Sequence, residues 1–495
     1  MAPFPGWFEP FTQQFIAGEW RTGTGDWDVV DFNPATGEKL ASVPVATATE
    51  VDLAYRAAEQ AQRAWAVSSP YERCRVLERT ADLIAERQSD IAAAMVTELG
   101  GTRARVLHEL TLCQEFLREA AQLPLRSEGR IIASPVEGKE NYVTRVPVGT
   151  VLVIAPFNFP LLLALKPLAS ALALGNAVVL KPHQLTPVCG GVLIARLLEE
   201  AGLPPGLLSV LITDVAEVGD ALIEHPVPSV ICFTGAESTG RHVAAVAGGR
   251  LKRAILETGG TSALLVLDDA DLGYAVDAAV FSRFLDQGQV STSASRVLVD
   301  RAVLEPFTEG LLARVAALRV GDPADPLTEV GPLMSSRAAE RLAEDVRQAV
   351  AEGARVLAGG EVDGGGRARG NLVPPTVLTD VPPGARISRQ EIFGPVLLLI
   401  PVDGDDEAVR VANETRHGLS GAVHTADVQR GLRVAQRINS GVVHVNDATV
   451  ADEPLVPFGG EKRSGLARLN GEAMVDAFTS SKWISVRHGQ ASFPF

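Results

Sequence analysis

Three side chains of this sequence have the types needed to work on a carbonyl group. Ser291 stands in the hydroxyl-rich run Asp286–Arg296. A serine hydroxyl is a weak nucleophile without a dedicated base, and Thr292, Ser293 and Ser295 offer no better one. Asn158 lies in Ala155-Pro-Phe-Asn-Phe-Pro160, directly after an apolar run. An amide at a strand-to-helix turn can donate to a developing oxyanion or simply stabilise the turn. Glu257 precedes Gly259-Gly260. A carboxylate whose burial raises its pKa toward neutrality suits a general base; membership of a structural ion pair is the plainer alternative. No histidine sits in these motifs, so a serine-hydrolase arrangement lacks its base.

Two further segments have the character of a nucleotide site. Lys181, in Val178–Pro182, falls at the carboxyl end of an expected strand, where open α/β sheets bind ligands. For Lys181 and the nearby Gln184, plain solvation is a serious competing reading. Cys232–Gly240 combines a strand, a glycine turn and a helix start, whose backbone N–H groups could hold a pyrophosphate. Its G-x-x-x-x-G spacing is weak by itself and lacks the usual G-x-G-x-x-G order.

The elements that must position these residues follow from hydrophobic period and punctuation. Val151–Ala155 reads as a strand, Leu161–Leu174 as a helix closed by Gly175-Asn176, and Ala177–Lys181 as the next strand. A helix over about Val188–Ala201, a strand at Leu208–Ile212, a helix over Glu217–Glu224 and a strand at Ser229–Phe233 follow. Two successive strand-helix-strand units predict a mononucleotide-binding sheet. The stretch from about Val51 to Leu123 is helix-rich, and Arg130–Ser134 with Tyr142–Val146 suggests a β-hairpin. A second α/β block runs from about Gly260 to Val443, with Gly359-Gly360 and Gly364–Gly366 expected as a surface turn.

A chain of 495 residues suggests two or three domains, since single cores stop growing at roughly 250–300 residues. A net charge of −15 argues against nucleic acid as a partner. The N-terminus does not read as a signal peptide, and no apolar run is long enough to span a bilayer. Cys74, Cys113, Cys189 and Cys232 are scattered without metal-ligand spacing, which predicts a reducing, cytoplasmic setting and no metal site.

In their order along the chain, these segments resemble those of the aldehyde dehydrogenase family. Asp286–Arg296 resembles its nucleophile loop, with Ser291 where the family has cysteine. Cys232–Gly240 is similar to FTGSxxxG with Ala236 for the serine, and Leu251–Gly260 to LELGG with Thr258 for the leucine. Gln390–Pro395 resembles EIFGP, and Pro457–Gly460 with Ser464-Gly465 is a further match. The resemblance extends from Phe15–Trp20 to Lys482-Trp483.

That resemblance implies an α/β fold: a Rossmann-like NAD(P)-binding domain (1–125 and 148–258), an α/β catalytic domain (259–443), a β-hairpin oligomerisation arm (126–147 and 470–495), and a return segment near the active site (444–469). It implies oxidation of an aldehyde to the acid with NAD or NADP, through a covalent adduct at residue 291. Asn158 and the backbone N–H of 291 would hold the oxyanion, and Glu257 would activate water. Ala155, Pro156, Lys181, Gln184, Thr234, Gly235, Ala236, Thr239, Thr258, Glu391 and Phe393 would bind the cofactor. Because Gln184 lacks the carboxylate that would repel a 2′-phosphate, exclusion of NADP is not assured.

Phe159, Lys166, Val290, Thr292 and Phe458 would line the substrate pocket. Asn158–Leu162, Cys189–Val192, Ser262–Asp271 and His444–Asp447 resemble the benzaldehyde and vanillin branch, so an aromatic aldehyde is expected; Asp286 and Thr261 depart from its usual residues. Lys166 would meet a polar or anionic ring substituent or be a solvated helix lysine. A homodimer or homotetramer is expected. With Ser291, a Cys-to-Ser form of the enzyme with little turnover is expected. The alternative is a natural non-catalytic ligand-binding or structural protein on the same fold.

Overall fold

The structure, a computed structural model, describes residues 4–360, 371–382 and 384–495. Its first sheet has eight strands in the order Glu19–Arg21, Gln14–Ile16, Leu208–Val210, Ala177–Lys181, Thr150–Ile154, Pro228–Gly235, Arg253–Thr258, Gly465–Leu466. Those from Leu208–Val210 through Arg253–Thr258 are parallel. Val178, Val179 and Leu180 are fully buried, which is why this strand is a continuous apolar run rather than an alternating one.

From Thr150–Ile154 the chain winds outward to Ala177–Lys181 and Leu208–Val210, then returns to Pro228–Gly235 on the other side. The strand order therefore reverses between Thr150–Ile154 and Pro228–Gly235. Such a reversal opens a crevice at the carboxyl ends of the strands, where doubly wound sheets take their ligands. The turns after these two strands carry Asn158 and Ala236.

The second sheet runs Arg355–Ala358, Thr376–Thr379, Val396–Val402, Ala294–Asp300, Ser262–Val266, Ser420–His424, Val442–Val445. It is parallel except at its first pair. Ser291 sits just before its central strand Ala294–Asp300. Arg130–Ala133, Lys139–Pro147 and Thr479–Arg487 form a separate antiparallel sheet. Met474, Ala477 and Phe478, just upstream, pack into the core around the first sheet.

Most expected elements occur within a residue or two. The helix expected over Glu217–Glu224 is instead two short turns, Val215–Val218 and Ala221–Glu224. Gly219, at φ 53°, breaks them apart in a conformation that a continuing helix excludes. The expected Val188–Ala201 helix opens with a π turn, Val188–Val192, before Leu193–Glu200 becomes α-helical. Glu98 accepts hydrogen bonds there from the Val188 and Cys189 N–H groups. Gly359 and Gly360 adopt positive φ, as a turn requires; Gly364–Gly366 lie outside the described residues. Among the described residues no helix is long and apolar enough to cross a membrane.

Candidate active site

A cleft of about 460 Å³ opens at the strand reversal, and Asn158, Glu257 and Ser291 all line it. Each arrives from a different element: Asn158 from the turn after Thr150–Ile154, Glu257 from the end of Arg253–Thr258, and Ser291 from the loop before Ala294–Asp300. Phe159, at φ 45°, turns the chain sharply between Asn158 and the helix Pro160–Ala173.

Left-handed backbone sets the nucleophile-position loop: Asp286, Gln287 and Gly288 have φ of 51°, 56° and 73°. A Cβ on Gly288 would lie 2.5 Å from the Gly394 carbonyl oxygen, so close approach as well as φ selects glycine. The fully buried Arg283 donates to the carbonyls of Ile392 (2.9 Å) and Gly394, holding the loop's flank to the Gln390–Pro395 segment. Burial pushes its guanidinium down to about 9. Gln287 bonds Pro332 O and Gly331 N, each at 3.1 Å, and Gln289 Oε1 accepts from Met334 N. Asn158 Nδ2 donates to Gln289 O at 2.9 Å.

A buried charge cluster ties this loop to the helices. Arg105, on helix Arg103–Arg126, pairs with Glu109, and its Nε lies 2.9 Å from Asp286 Oδ1. Glu109 Oε1 also accepts from the Leu161 and Leu162 N–H groups, both at 3.0 Å, at the start of the helix that follows Asn158. Helix Arg103–Arg126 therefore joins the segments that bear Asn158 and Ser291. Asp286 thus has an ion-pair role that its local sequence did not disclose.

Glu257 is buried, and desolvation raises its pKa, opposed by the nearby Lys166 ammonium. Lys166 Nζ lies 3.7 Å from Glu257 Oε1 and 3.1 Å from Asp452 Oδ2. With 2% of its surface exposed, Lys166 is not the solvated helix lysine considered from sequence. Ser464 fixes the strand end beside Glu257: its carbonyl accepts from Thr258 N at 2.9 Å, and its Oγ donates to Gly259 O at 2.8 Å.

All eleven residues expected to contact the cofactor line the same cleft, from Ala155, Pro156, Lys181 and Gln184 through Thr234, Gly235, Ala236, Thr239 and Thr258 to Glu391 and Phe393. The structure adds His183, Val218 and Leu222, which no motif marked. Burial lowers His183 to about 4, leaving a neutral ring next to Lys181 and Gln184. Phe157 sets its ring edge-on to both His183 (5.4 Å) and Phe393 (5.8 Å). Burial raises Glu391 to about 7. A Cβ on Gly259 would lie 2.1 Å from a Glu391 carboxylate oxygen, so this glycine makes room for that side chain.

The cleft fits a dinucleotide: it lies at a strand reversal, includes apolar residues such as Val218, Leu222 and Ile223 in its lining, and holds the Lys181 ammonium, whose side chain donates to Pro182 O at 3.4 Å. A second cavity of about 650 Å³ shares Phe157, Ala236, Glu391 and Phe393 with it and is rimmed by Arg241, Arg337 and Arg341. In an otherwise acidic protein, that rim favours the approach of an anionic ligand.

The five residues expected at the substrate pocket lie outside the wall of this cleft. Phe159 covers the Arg105 guanidinium at 3.9 Å, and Phe458 faces the Lys166 ammonium at 4.2 Å. Thr292 is buried and Val290 half-buried beside Ser291. The segments that bring Asn158, Glu257 and Ser291 to one cleft belong to a chain that matches a known protein family in both sequence and fold. The family model for the aldehyde dehydrogenase family covers residues 20–484.

The chain belongs to the aldehyde dehydrogenase family.

This aldehyde dehydrogenase is 48% identical over 488 residues to benzaldehyde dehydrogenase YfmT of Bacillus subtilis, covering 99% of both chains. It is similar to the crystal structure of a salicylaldehyde dehydrogenase from Pseudomonas putida G7 complexed with salicylaldehyde, with TM-score 0.93 and 34% identity over 98% of this chain and 99% of that one. A betaine aldehyde dehydrogenase from Staphylococcus aureus in complex with NAD+ aligns with TM-score 0.94 and 30% identity, covering 98% and 97%. The fold follows from this membership, and a relative from Pseudomonas putida, 40% identical over 493 residues and covering 99% of both chains, is a benzaldehyde dehydrogenase (NAD+).

Proposed function

We propose that this chain has the apparatus to oxidise an aromatic aldehyde to its carboxylic acid, and that Ser291 in place of a cysteine leaves it with little turnover. The observation that carries this reading is the convergence of Asn158, Glu257 and residue 291 on one cleft of about 460 Å³. The aromatic substrate class is supported by the likeness to the benzaldehyde and salicylaldehyde enzymes.

An aldehyde carbon must become tetrahedral before a hydride can leave it. In the cysteine form, the side chain of residue 291 adds to the carbonyl. Asn158 has two amide hydrogens; one is committed to Gln289 O, and the other is free to meet the oxyanion together with the N–H of residue 291. When bound, NAD or NADP supplies the hydride acceptor. Lys181 and Gln184 would hold its adenosine ribose, Glu391 the other ribose, and Thr234–Ala236 and Thr239 its phosphates. Glu257 then takes a proton from the water that releases the acid, a task suited to a carboxylate poised above its ordinary range.

A cysteine thiol, with an unperturbed pKa of about 8.5, can be tuned to a thiolate near neutrality; a serine hydroxyl cannot. Ser291 itself favours the second reading, a non-catalytic ligand-binding protein on the same fold. The separate antiparallel sheet exposes Ile131, Ile132, Trp483 and Ile484, which supports burial against another copy of the chain. The test of function is a panel of aromatic and aliphatic aldehydes with Ser291→Cys. Aromatic substrates are expected to give the higher kcat/KM with NAD+ or NADP+, and a preference for aliphatic ones would overturn the substrate class.

A further inference from the structure

Lys166 is almost wholly buried. Its ammonium is enclosed by Phe458 at 4.2 Å and Phe116 at 5.5 Å, and its charged neighbours are Glu257 at 3.7 Å and Asp452 at 3.1 Å. Asp452 is held in turn, its Oδ1 accepting from Asn470 Nδ2 at 2.8 Å. The groups facing Glu257 are Lys166 from helix Pro160–Ala173, Asp452 from the 446–460 segment, and Thr234 and Cys232 from strand Pro228–Gly235. Lys166 is the cation of that set. Among the described residues Glu257 Oε1 has no hydrogen-bond partner, so the ammonium at 3.7 Å is its main compensation for burial.

We infer that Lys166 is a positioning residue for Glu257, its buried ammonium shared between that carboxylate and Asp452, so that Asp452 limits how strongly Lys166 holds Glu257 in its charged form. This rests on the reading of Glu257 as the base that activates water. A single positive charge serves two carboxylates. It keeps its own proton throughout, because burial, which opposes the ammonium, is outweighed by the two carboxylates beside it. Withdrawing the ammonium leaves Glu257 desolvated beside a second negative charge and favours its neutral form. Withdrawing the Asp452 charge frees the ammonium for Glu257 and favours the carboxylate. The two substitutions act on Glu257 with opposite signs, which a merely structural role would not produce.

The experiment is an infrared titration of the Glu257 carboxyl band in the full chain, the band being assigned by its loss in Glu257→Gln. The midpoint is expected to rise by about one pH unit or more in Lys166→Met and to fall in Asp452→Asn. Midpoints that coincide with that of the unsubstituted chain in both variants would overturn the inference. Should Lys166→Met not fold, Asp452→Asn decides alone: a lowered midpoint supports the inference and an unchanged or raised one overturns it. In the Ser291→Cys background, the acidic limb of kcat is expected to move with these midpoints. If Ser291→Cys is inactive while the midpoints shift as expected, the proposed function fails and the Lys166 coupling stands.

Discussion

Asn158 Nδ2 donates to the carbonyl oxygen of Gln289 at 2.9 Å, which binds the amide expected to hold the oxyanion to the loop that presents residue 291. The two stand in turns next to strands of different sheets, so the hydrogen bond fixes a distance between the sheets that neither sets by itself. Asn158→Ala in a Ser291→Cys background is expected to lower kcat by about 10²–10³. Steady-state kinetics check this, and a kcat within a factor of two of the parent would remove Asn158 from the oxyanion site.

Glu257 acts after the hydride has left, so its loss has a distinctive kinetic form. Glu257→Gln combined with Ser291→Cys is expected to release about one equivalent of reduced cofactor per site in a burst and then stall, with steady turnover down by about 10²–10⁴. Rapid-mixing absorbance measures both phases. Absence of a burst would place Glu257 before hydride transfer.

The Arg105 cluster sits in full burial, and removing its cation strands two carboxylates. Arg105→Met leaves Glu109 and Asp286 without compensation and is expected to destabilise the fold by about 3–5 kcal/mol. Asp286→Asn leaves Arg105 paired with Glu109 and should cost less. Urea denaturation of both variants checks the order, and the reverse order would contradict this assignment of the pairs.

A second buried pair makes stability depend on pH. Asp31 faces Glu98, and burial followed by that negative neighbour pushes Asp31 up to about 10, while burial raises Glu98 to about 7. Both folded values exceed those of the unfolded chain, so the stabilisation from their bound protons is complete below about pH 4 and is lost as pH rises. Glu98 finishes losing it near 7, whereas Asp31 continues to about 10. Asp31→Asn is therefore expected to flatten the decline of melting temperature between pH 7 and 10. An unchanged slope there would show that Asp31 is already ionised.

The cleft was legible because its contacts come from strand ends, where apolar runs meet short polar or glycine turns. Ala155–Asn158, Lys181 and Thr234–Ala236 all carry that local signature. Lys166 and Asp286 were not legible in the same way. Their partners Asp452 and Arg105 are brought to them only by tertiary packing, and a lysine between apolar neighbours reads equally well as solvated or pocket-facing. The broken helix at Gly219 was missed because a lone glycine within a helical pattern is often tolerated. Leu222, beyond that break, gave no sign of lining the cleft because it belongs to no motif.

The central claim, that this cleft is a dehydrogenase site dependent on one sulfur atom at position 291, is tested most directly by comparing this chain with Ser291→Cys. Reduction of NAD+ and NADP+ would be followed with benzaldehyde as substrate. The cysteine form is expected to turn over and the serine form to bind cofactor with turnover lower by orders of magnitude. Cofactor binding by both with turnover by neither would contradict the account and favour a binding protein.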